Sequence, residues 1–319
     1  MQVLIYGGGA VGLGIASCLL NSGHRVDILA RADTCNLLKN EGLFREGIFG
    51  KSYFPPPKFS CFTDLKEITN PQKYDYILVC VKSYDSFNAA CDLSENRKIF
   101  KENTRVILFQ NGWGNAEIFL QFFPKSQIYN ARVITGFLRP QKNKVVITVH
   151  ADSIHIGSLF GEDCAFLKEF TQAVSQGGIP CEIYPDIQKD IWAKMLYNCA
   201  LNSLGAILNV PYGKLAEQED TRRVMNNVVR EIYEVMDRKS YSTHWSTPQE
   251  YLEVFYSRLL PATAEHESST LQDLREGKRT EIDFLNGAVV KLAGEVGLSV
   301  PYNYTLYVIV KFLEKKRLA

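Results

Sequence analysis

Cysteine pairs at metal-binding spacing are missing from this sequence. Its eight cysteines, at 18, 35, 61, 80, 91, 164, 181 and 199, are scattered, with no Cys-x-x-Cys and no nearby histidine at metal spacing. That argues against a zinc site or a disulfide scaffold and fits reduced thiols in a cytosol. An excess of one charge is missing too. With 36 Lys and Arg against 35 Asp and Glu the formal net charge is +1, and the one dense basic run, residues 315–319, reads as a solvated tail. Neither nucleic acid nor an anionic membrane is therefore expected as a partner. Long hydrophobic runs are absent as well: the most apolar window, residues 195–210, is too short and too rich in Asn to span a bilayer. The opening MQVLIYGGG has no basic stretch followed by an apolar one, so no secretory signal is expected and the cytoplasm is the expected location. No internal repeat of solenoid period is visible. What remains is 319 residues, 46% apolar and 22% charged, the composition of a soluble globular protein with room for two domains.

The first feature with chemistry in it comes at once. Residues 3–6 form a short apolar run that ends at Gly7-Gly8-Gly9-Ala10-Val11-Gly12, and residues 13–20 are helix-like, closed by Asn21-Ser22-Gly23. Strand, glycine turn and helix open a dinucleotide fold. Gly7 allows the tight turn, Gly9 lets backbone N–H groups approach a pyrophosphate, and Gly12 lets the helix pack on the strand. The helix N-terminus adds unpaired donors and a positive dipole end. A second strand, residues 25–29, should end at the adenosine ribose. An NAD-selective site puts an acid there, about 20 residues after the glycines; this chain has Ala30-Arg31. The Arg31 guanidinium suits a 2′-phosphate, which favours NADP(H) over NAD(H). The acids Asp27 and Asp33 would reverse that preference if either reached the ribose, and an exposed surface arginine is the plainer alternative.

Residues 35–73 contain a helix-like piece and then a Gly/Phe/Pro-rich stretch through Pro55-Pro56-Pro57 that breaks regular structure and reads as a connection. Residues 74–81 are a near-continuous apolar run, as for a parallel strand buried on both faces, ending at Lys82. The next such run, residues 105–110, ends at Asn111-Gly112-Trp113-Gly114. Ligands of open α/β sheets bind at the carboxyl ends of strands, so this rule delivers both Lys82 and Asn111 to the crevice. Lys82 could also be a solvated strand terminator. Residues 126–156 alternate like antiparallel strands finishing the sheet, and residues 163–175 are helix-like. A boundary is expected near Pro185, giving residues 1–184 as a Rossmann-type dinucleotide-binding domain. Only helical periodicity follows, so residues 185–319 are expected to form an all-α domain that carries the substrate site, in an α/β protein overall.

A helix over residues 190–210 places Lys194, Asn198 and Asn202 four residues apart along one face. No other charged residue occurs before Lys214, and Met195, Leu196, Cys199, Ala200, Leu204, Ile207 and Leu208 surround the stripe with apolar bulk. Asn is a poor mid-helix residue, so two of them need a reason. A short polar edge on an amphipathic helix, or amides satisfying buried backbone, would also serve. Further on, Ser269 and Gln272 suggest a capping box at a helix start, and Glu281 and Asp283 fall in a first helical turn, where acids are favoured electrostatically anyway.

Taken together these pieces resemble the ketopantoate reductase (2-dehydropantoate 2-reductase) family over essentially the whole chain. The carriers are GGGAVG at Gly7, VKSYD at Val81, QNGWGNAE at Gln110, Trp-x-Lys-x-x-x-Asn-x-x-x-Asn over 192–202, SSTLQD at Ser268, and KRTEIDFLNGAVV from Lys278 with the downstream GLSVPYN. The resemblance implies Lys194 as general acid with Glu281 as its partner, and Asn111, Asn198, Asn202 and Ser269 as substrate contacts. It implies NADPH held by Gly7, Gly8, Gly9, Ala10, Val11 and Gly12 with Arg31, Lys82 and Asn111. The reaction so implied is reduction of 2-dehydropantoate to pantoate, in pantothenate and coenzyme A biosynthesis. No metal is called for. The expected partner is a small 2-oxo acid, and the oligomeric state, a homodimer included, is left open. Reducing a 2-oxo acid needs a hydride from the nicotinamide and a proton donor for the oxygen that becomes negative. Lys194 would stabilise that oxygen and protonate it, and an uncharged helix face would favour its neutral form. Residues 236–241 (MDRKSY) depart from the smaller, Ala/Gly-rich helix end expected there, which puts substrate size in doubt. The rival readings are a reductase of another branched or aromatic 2-oxo acid and a non-catalytic NADP-binding sensor.

Overall fold

A computed structural model describes residues 1–318, and the side chains of residues 317–319, the end of the basic tail, lie outside what it describes. By contact the chain divides into two compact units: Met1–Gln110 with Asn115–Ile187, and Asn111–Gly114 with Gln188–Ala319.

The first unit begins with β1 (Gln2–Tyr6), α1 (Ala10–Asn21), β2 (Arg25–Leu29) and α2 (Ala32–Glu41). Residues 43–62 then form three strands, β3 (Leu43–Gly47), β4 (Ser52–Phe54) and β5 (Phe59–Phe62), where the sequence suggested only a connection. After β6 (Tyr74–Val79) come α3 (Ser86–Glu95), β7 (Phe100–Leu108), α4 (Asn115–Phe119) and β8 (Ile128–Arg132). The unit ends with β9 (Thr135–Gln141), β10 (Lys144–His150), β11 (Ile154–Gly157), α5 (Lys168–Gln176) and β12 (Cys181–Ile183). Eight strands form one sheet in the order β12-β11-β8-β7-β6-β1-β2-β5. Its pairs are parallel except β8 with β11.

The central strands are apolar on both faces because both faces are covered. Val3 and Ile5 of β1 belong to one buried cluster with α1 and α5, while Leu4 belongs to the other with α3 and α4. Strand order reverses between β1 and β6, the switch point at which the ends of both strands point to a ligand. The expectation of antiparallel strands completing this sheet holds only for β11. Strands β9 and β10 leave it and form a second sheet, β4-β3-β10-β9, in which β10 runs parallel to β3. That pairing, Phe44 opposite Lys144, joins residues 100 apart and carries no local signal. The thiol expectation is corrected at one place: Cys35 in α2 and Cys61 in β5, 5.6 Å apart at Cα, form a disulfide. Their separation of 26 residues gave no hint that β5 pairs with β2 and brings them together.

Among its described residues the second unit contains helices and no strand: α6 (Ile187–Leu208), α7 (Tyr212–Leu215), α8 (Glu219–Arg238), α9 (Pro248–Val254), α10 (Ser269–Arg275), α11 (Asn286–Glu295) and α12 (Pro301–Leu318). A buried polar chain ties four of them. Ser203 Oγ of α6 donates to Asn286 Oδ1 (2.6 Å), and Asn286 Nδ2 donates to Cys199 O and to Asn303 Oδ1. The Glu231 carboxylate of α8 accepts from the backbone N–H groups of Tyr302 and Asn303, the open donors in the first turn of α12. These contacts fix the rotation of α6, and with it the direction of the Lys194 stripe.

Candidate active site

In the first unit Gly7 adopts φ +117°, and a Cβ on Gly12 would lie 2.1 Å from Gly7 O, so turn and helix can close on each other only as glycines. Helix α1 starts at Gly9 with no side-chain cap and no acid in its first turn, which leaves its N-terminal donors for a ligand. Arg31 is exposed and is the residue before the first turn of α2. Asp27, mid-strand in β2, is committed elsewhere: Lys73 Nζ pairs with it at 2.5 Å and Tyr74 Oη donates to it at 2.8 Å. Asp33 pairs with Lys142. Lys82 stands just past β6, ahead of a 3₁₀ turn, and its carbonyl accepts from the Asp85 backbone N–H. The loop geometry and its uncapped donors suit a pyrophosphate, and the exposed Arg31 suits a 2′-phosphate.

In the second unit the structure joins three of the residues singled out in the sequence. Lys194 Nζ donates to Asn111 Oδ1 at 2.6 Å, and Asn111 Nδ2 donates to Glu281 Oε2 at 3.2 Å. One carboxamide therefore orients both a cation and an anion, and the anion is buried, only 6% exposed. Asn111 is held by its neighbours. Gly112, at φ +86°, brings the backbone so close to Phe284 that a Cβ would lie 2.3 Å from the Phe284 carbonyl, and Trp113 N donates to that same carbonyl at 2.9 Å. Phe284 is three residues after Glu281, so the loop that supplies the amide is fastened to the turn that supplies the acid.

Glu281 does not open an α-helix as the sequence suggested. It precedes a 3₁₀ turn, Ile282–Phe284, and α11 starts only at Asn286. The neighbouring acid is occupied differently: the Asp283 carboxylate accepts from Arg279, Tyr307 and Lys311. Burial alone would raise its pKa, but these three donors outweigh it and hold the carboxyl below the usual range.

Along α6, Lys194 and Asn198 are half-buried and Asn202 is buried. The apolar surround is less complete at the far end, where Leu208 is exposed. Asn202 Oδ1 accepts from Tyr212 Oη at 2.6 Å, which fixes the orientation of its carboxamide. The capping role expected of Ser269 belongs to Ser268, whose Oγ accepts from Leu271 N and donates to Asn202 O. Relieved of capping, Ser269 is half-buried as the first residue of α10.

Sequence reading missed the aromatic cluster beside this site. Trp113, Trp192 and Tyr241 touch pairwise, with ring centroids 4.9, 4.9 and 5.3 Å apart. The tryptophans stand two residues from Asn111 and from Lys194, a spacing that was available as a signal. Tyr241 ends the 236–241 departure, and its position comes from folding alone. Tyr212 was missed too, since nothing local links it to Asn202.

A strand–glycine turn–helix nucleotide site, with an amide-bridged lysine and glutamate in a helical unit, defines a nicotinamide-dependent oxidoreductase. The chain belongs to the ketopantoate reductase family: residues 3–161 match the family model Ketopantoate reductase PanE/ApbA and residues 186–314 its C-terminal counterpart. A curated relative, the 2-dehydropantoate 2-reductase of Aquifex aeolicus, is 36% identical over 98% of this chain and 97% of its own. The crystal structure of a PanE/ApbA family ketopantoate reductase from Ralstonia eutropha superposes with a TM-score of 0.86 at 27% identity over the full length of both chains. D-mandelate dehydrogenase, solved with NADH and anilino(oxo)acetate, shares the fold at TM-score 0.88 and 22% identity, covering 99% of each chain.

Proposed function

We propose that this protein reduces 2-dehydropantoate to pantoate with NADPH, residues 1–184 binding the nucleotide and residues 185–319, with Asn111, binding the oxo acid. The observation that carries this reading is the Lys194–Asn111–Glu281 chain, in a protein whose curated relative of 36% identity bears that enzyme's name. NADPH, when bound, supplies the hydride. Gly7, Gly8, Gly9, Ala10, Val11 and Gly12 would hold its pyrophosphate, Arg31 its 2′-phosphate, and Lys82 and Asn111 its remaining polar groups.

The rest is the work of the chain. Lys194 Nζ offers positive charge to the ketone oxygen as negative charge develops on it, then donates the proton that completes the alcohol. Asn111 keeps the ammonium pointed while Glu281, buried beside it, balances its charge and accepts from a substrate hydroxyl. Asn198, the Asn202 carboxamide and the Ser269 hydroxyl orient the carboxylate and hydroxyl of the substrate without adding charge. Such a small polar acid calls for no membrane or nucleic-acid partner, and the cytoplasm is the proposed location.

NADPH consumption by purified protein, with 2-dehydropantoate beside a panel of branched and aromatic 2-oxo acids, tests the reading. The expected result is turnover of 2-dehydropantoate well above the others. Lys194→Ala should lower kcat by about 10²- to 10⁴-fold, the usual worth of a positioned proton donor. Preference for another member of the panel would reassign the substrate on the same site, and nucleotide binding without turnover of any would leave a non-catalytic sensor.

A further inference from the structure

The β9–β10 hairpin lies against the nucleotide-binding elements of its own unit, and three contacts fix it there. Phe137 and Arg139, two apart on a strand, face the same way. The Phe137 ring packs so closely on α1 that a Cβ on Gly14 would sit 2.3 Å from it, and Arg139 Nη1 donates to Gly8 O, in the glycine turn itself, at 2.8 Å. In the turn, the buried Asn143 donates to the Glu41 carboxylate and to Gly42 O at the far end of α2, both at 3.2 Å. A hairpin so fastened brings Lys142 to a defined partner, the carboxylate of Asp33 in the first turn of α2. Asp33 is two residues after Arg31 and also accepts from the Thr34 backbone N–H at 2.6 Å.

We infer that Lys142 is a specificity-positioning residue: by pairing with Asp33 it offsets a negative charge two residues from Arg31 that would repel a 2′-phosphate, and so favours NADP(H) over NAD(H). The inference rests on the nucleotide reading proposed above. An acid near the end of the second strand favours an unphosphorylated ribose, and of the two acids there Asp27 is already neutralised by Lys73. Asp33 is ionised at neutral pH, because the hydrogen bonds from Lys142 and from Thr34 N hold its carboxyl below the usual range. Its exposed charge is therefore one that the hairpin offsets, through Lys142 in the turn between β9 and β10.

Calorimetric titration of the apoprotein tests this without reference to turnover, using NADP⁺, NAD⁺, 2′,5′-ADP and 5′-AMP as probes at low ionic strength, where exposed charges act most strongly. Lys142→Ala should weaken NADP⁺ and 2′,5′-ADP by about three- to tenfold, the scale of an exposed charge pair near a phosphate. NAD⁺ and 5′-AMP should change by less than about twofold, and adding Asp33→Asn to Lys142→Ala should restore NADP⁺ binding. Equal losses for phosphorylated and unphosphorylated probes, or no loss in NADP⁺ binding, would overturn the inference while leaving the nucleotide reading intact. Wild-type protein that binds NADP⁺ and NAD⁺ alike would overturn the NADPH reading and the inference with it.

Discussion

At Asn111 one side chain settles a question of charge. Its carbonyl oxygen accepts from the Lys194 side chain and its amide nitrogen donates to the Glu281 carboxylate, so both are oriented by one neutral group. The two acids of the 281–283 turn are divided by the same logic of partners. Glu281 faces the amide, while Asp283 is consumed by Arg279, Tyr307 and Lys311 and belongs to the scaffold. Because the folded-state pKa of Asp283 is depressed, its stabilisation is fully present above its unfolded value and is lost as pH falls through the lower, folded one. Asp283→Asn should therefore be less stable than wild type at neutral pH by about 0.5–1 kcal/mol, a modest figure because the pair is partly solvated. In denaturant titrations the gap should narrow below about pH 4, the ordinary carboxylate value. A gap that persists undiminished into acid would sink the ion-pair account. The sequence placed both acids in the right neighbourhood and could not separate them, since Tyr307 and Lys311 arrive from α12.

Among the elements, α6 was the most legible, because its stripe of Lys194, Asn198 and Asn202 follows directly from the helical period. The segment after α8 was the least legible. Ser240, at φ +54°, turns the chain, and Tyr241, Thr243 and His244 then grip the site from outside its motifs. Tyr241 packs on Trp113 and Trp192, Thr243 Oγ1 donates to Lys189 O, and His244 Nε2 meets the buried Asp190 carboxylate at 2.6 Å. The departure from the family pattern is thus a brace on the loop of Asn111 and the first turn of α6. Aromatic pairs add about 0.5–1.5 kcal/mol each, so Tyr241→Ala should cost about 1–3 kcal/mol. It should also lower kcat by more than it weakens NADP⁺ binding, and Tyr241→Phe, which keeps the ring, should recover most of both losses. Stopped-flow rates beside thermal melts check this; full activity in Tyr241→Ala would remove the brace from the account.

For the whole molecule, the two contact-defined units divide the chemistry: the glycine turn and Arg31 lie in one, and the lysine, amide and acid in the other. Among the described residues no helix is long and apolar enough to cross a membrane, and no group of three or more His, Cys, Asp or Glu is arranged to hold a metal ion. Ligand linkage gives a test at this scale. NADP⁺ at a hundred times its dissociation constant should stabilise the folded state by about 2.7 kcal/mol. Hydrogen exchange should then show protection in residues 7–12 and at the start of α2, and protection confined to other segments would contradict the placement of the nucleotide.

The sequence by itself determined the parts whose signals are local. The glycine turn, the apolar β6 and the polar stripe of α6 are written in adjacent or periodic residues, because backbone conformation and side-chain period are fixed within a few peptide units. Tertiary structure decided what depends on residues far apart in the chain. Only folding pairs Phe44 with Lys144, joins Cys35 to Cys61, seats Arg139 on Gly8 and Lys142 on Asp33, and hands Asn111 to both Lys194 and Glu281. The physical reason is that a charge or an amide takes its role from whatever is within hydrogen-bond reach, and distance along the chain says little about that reach.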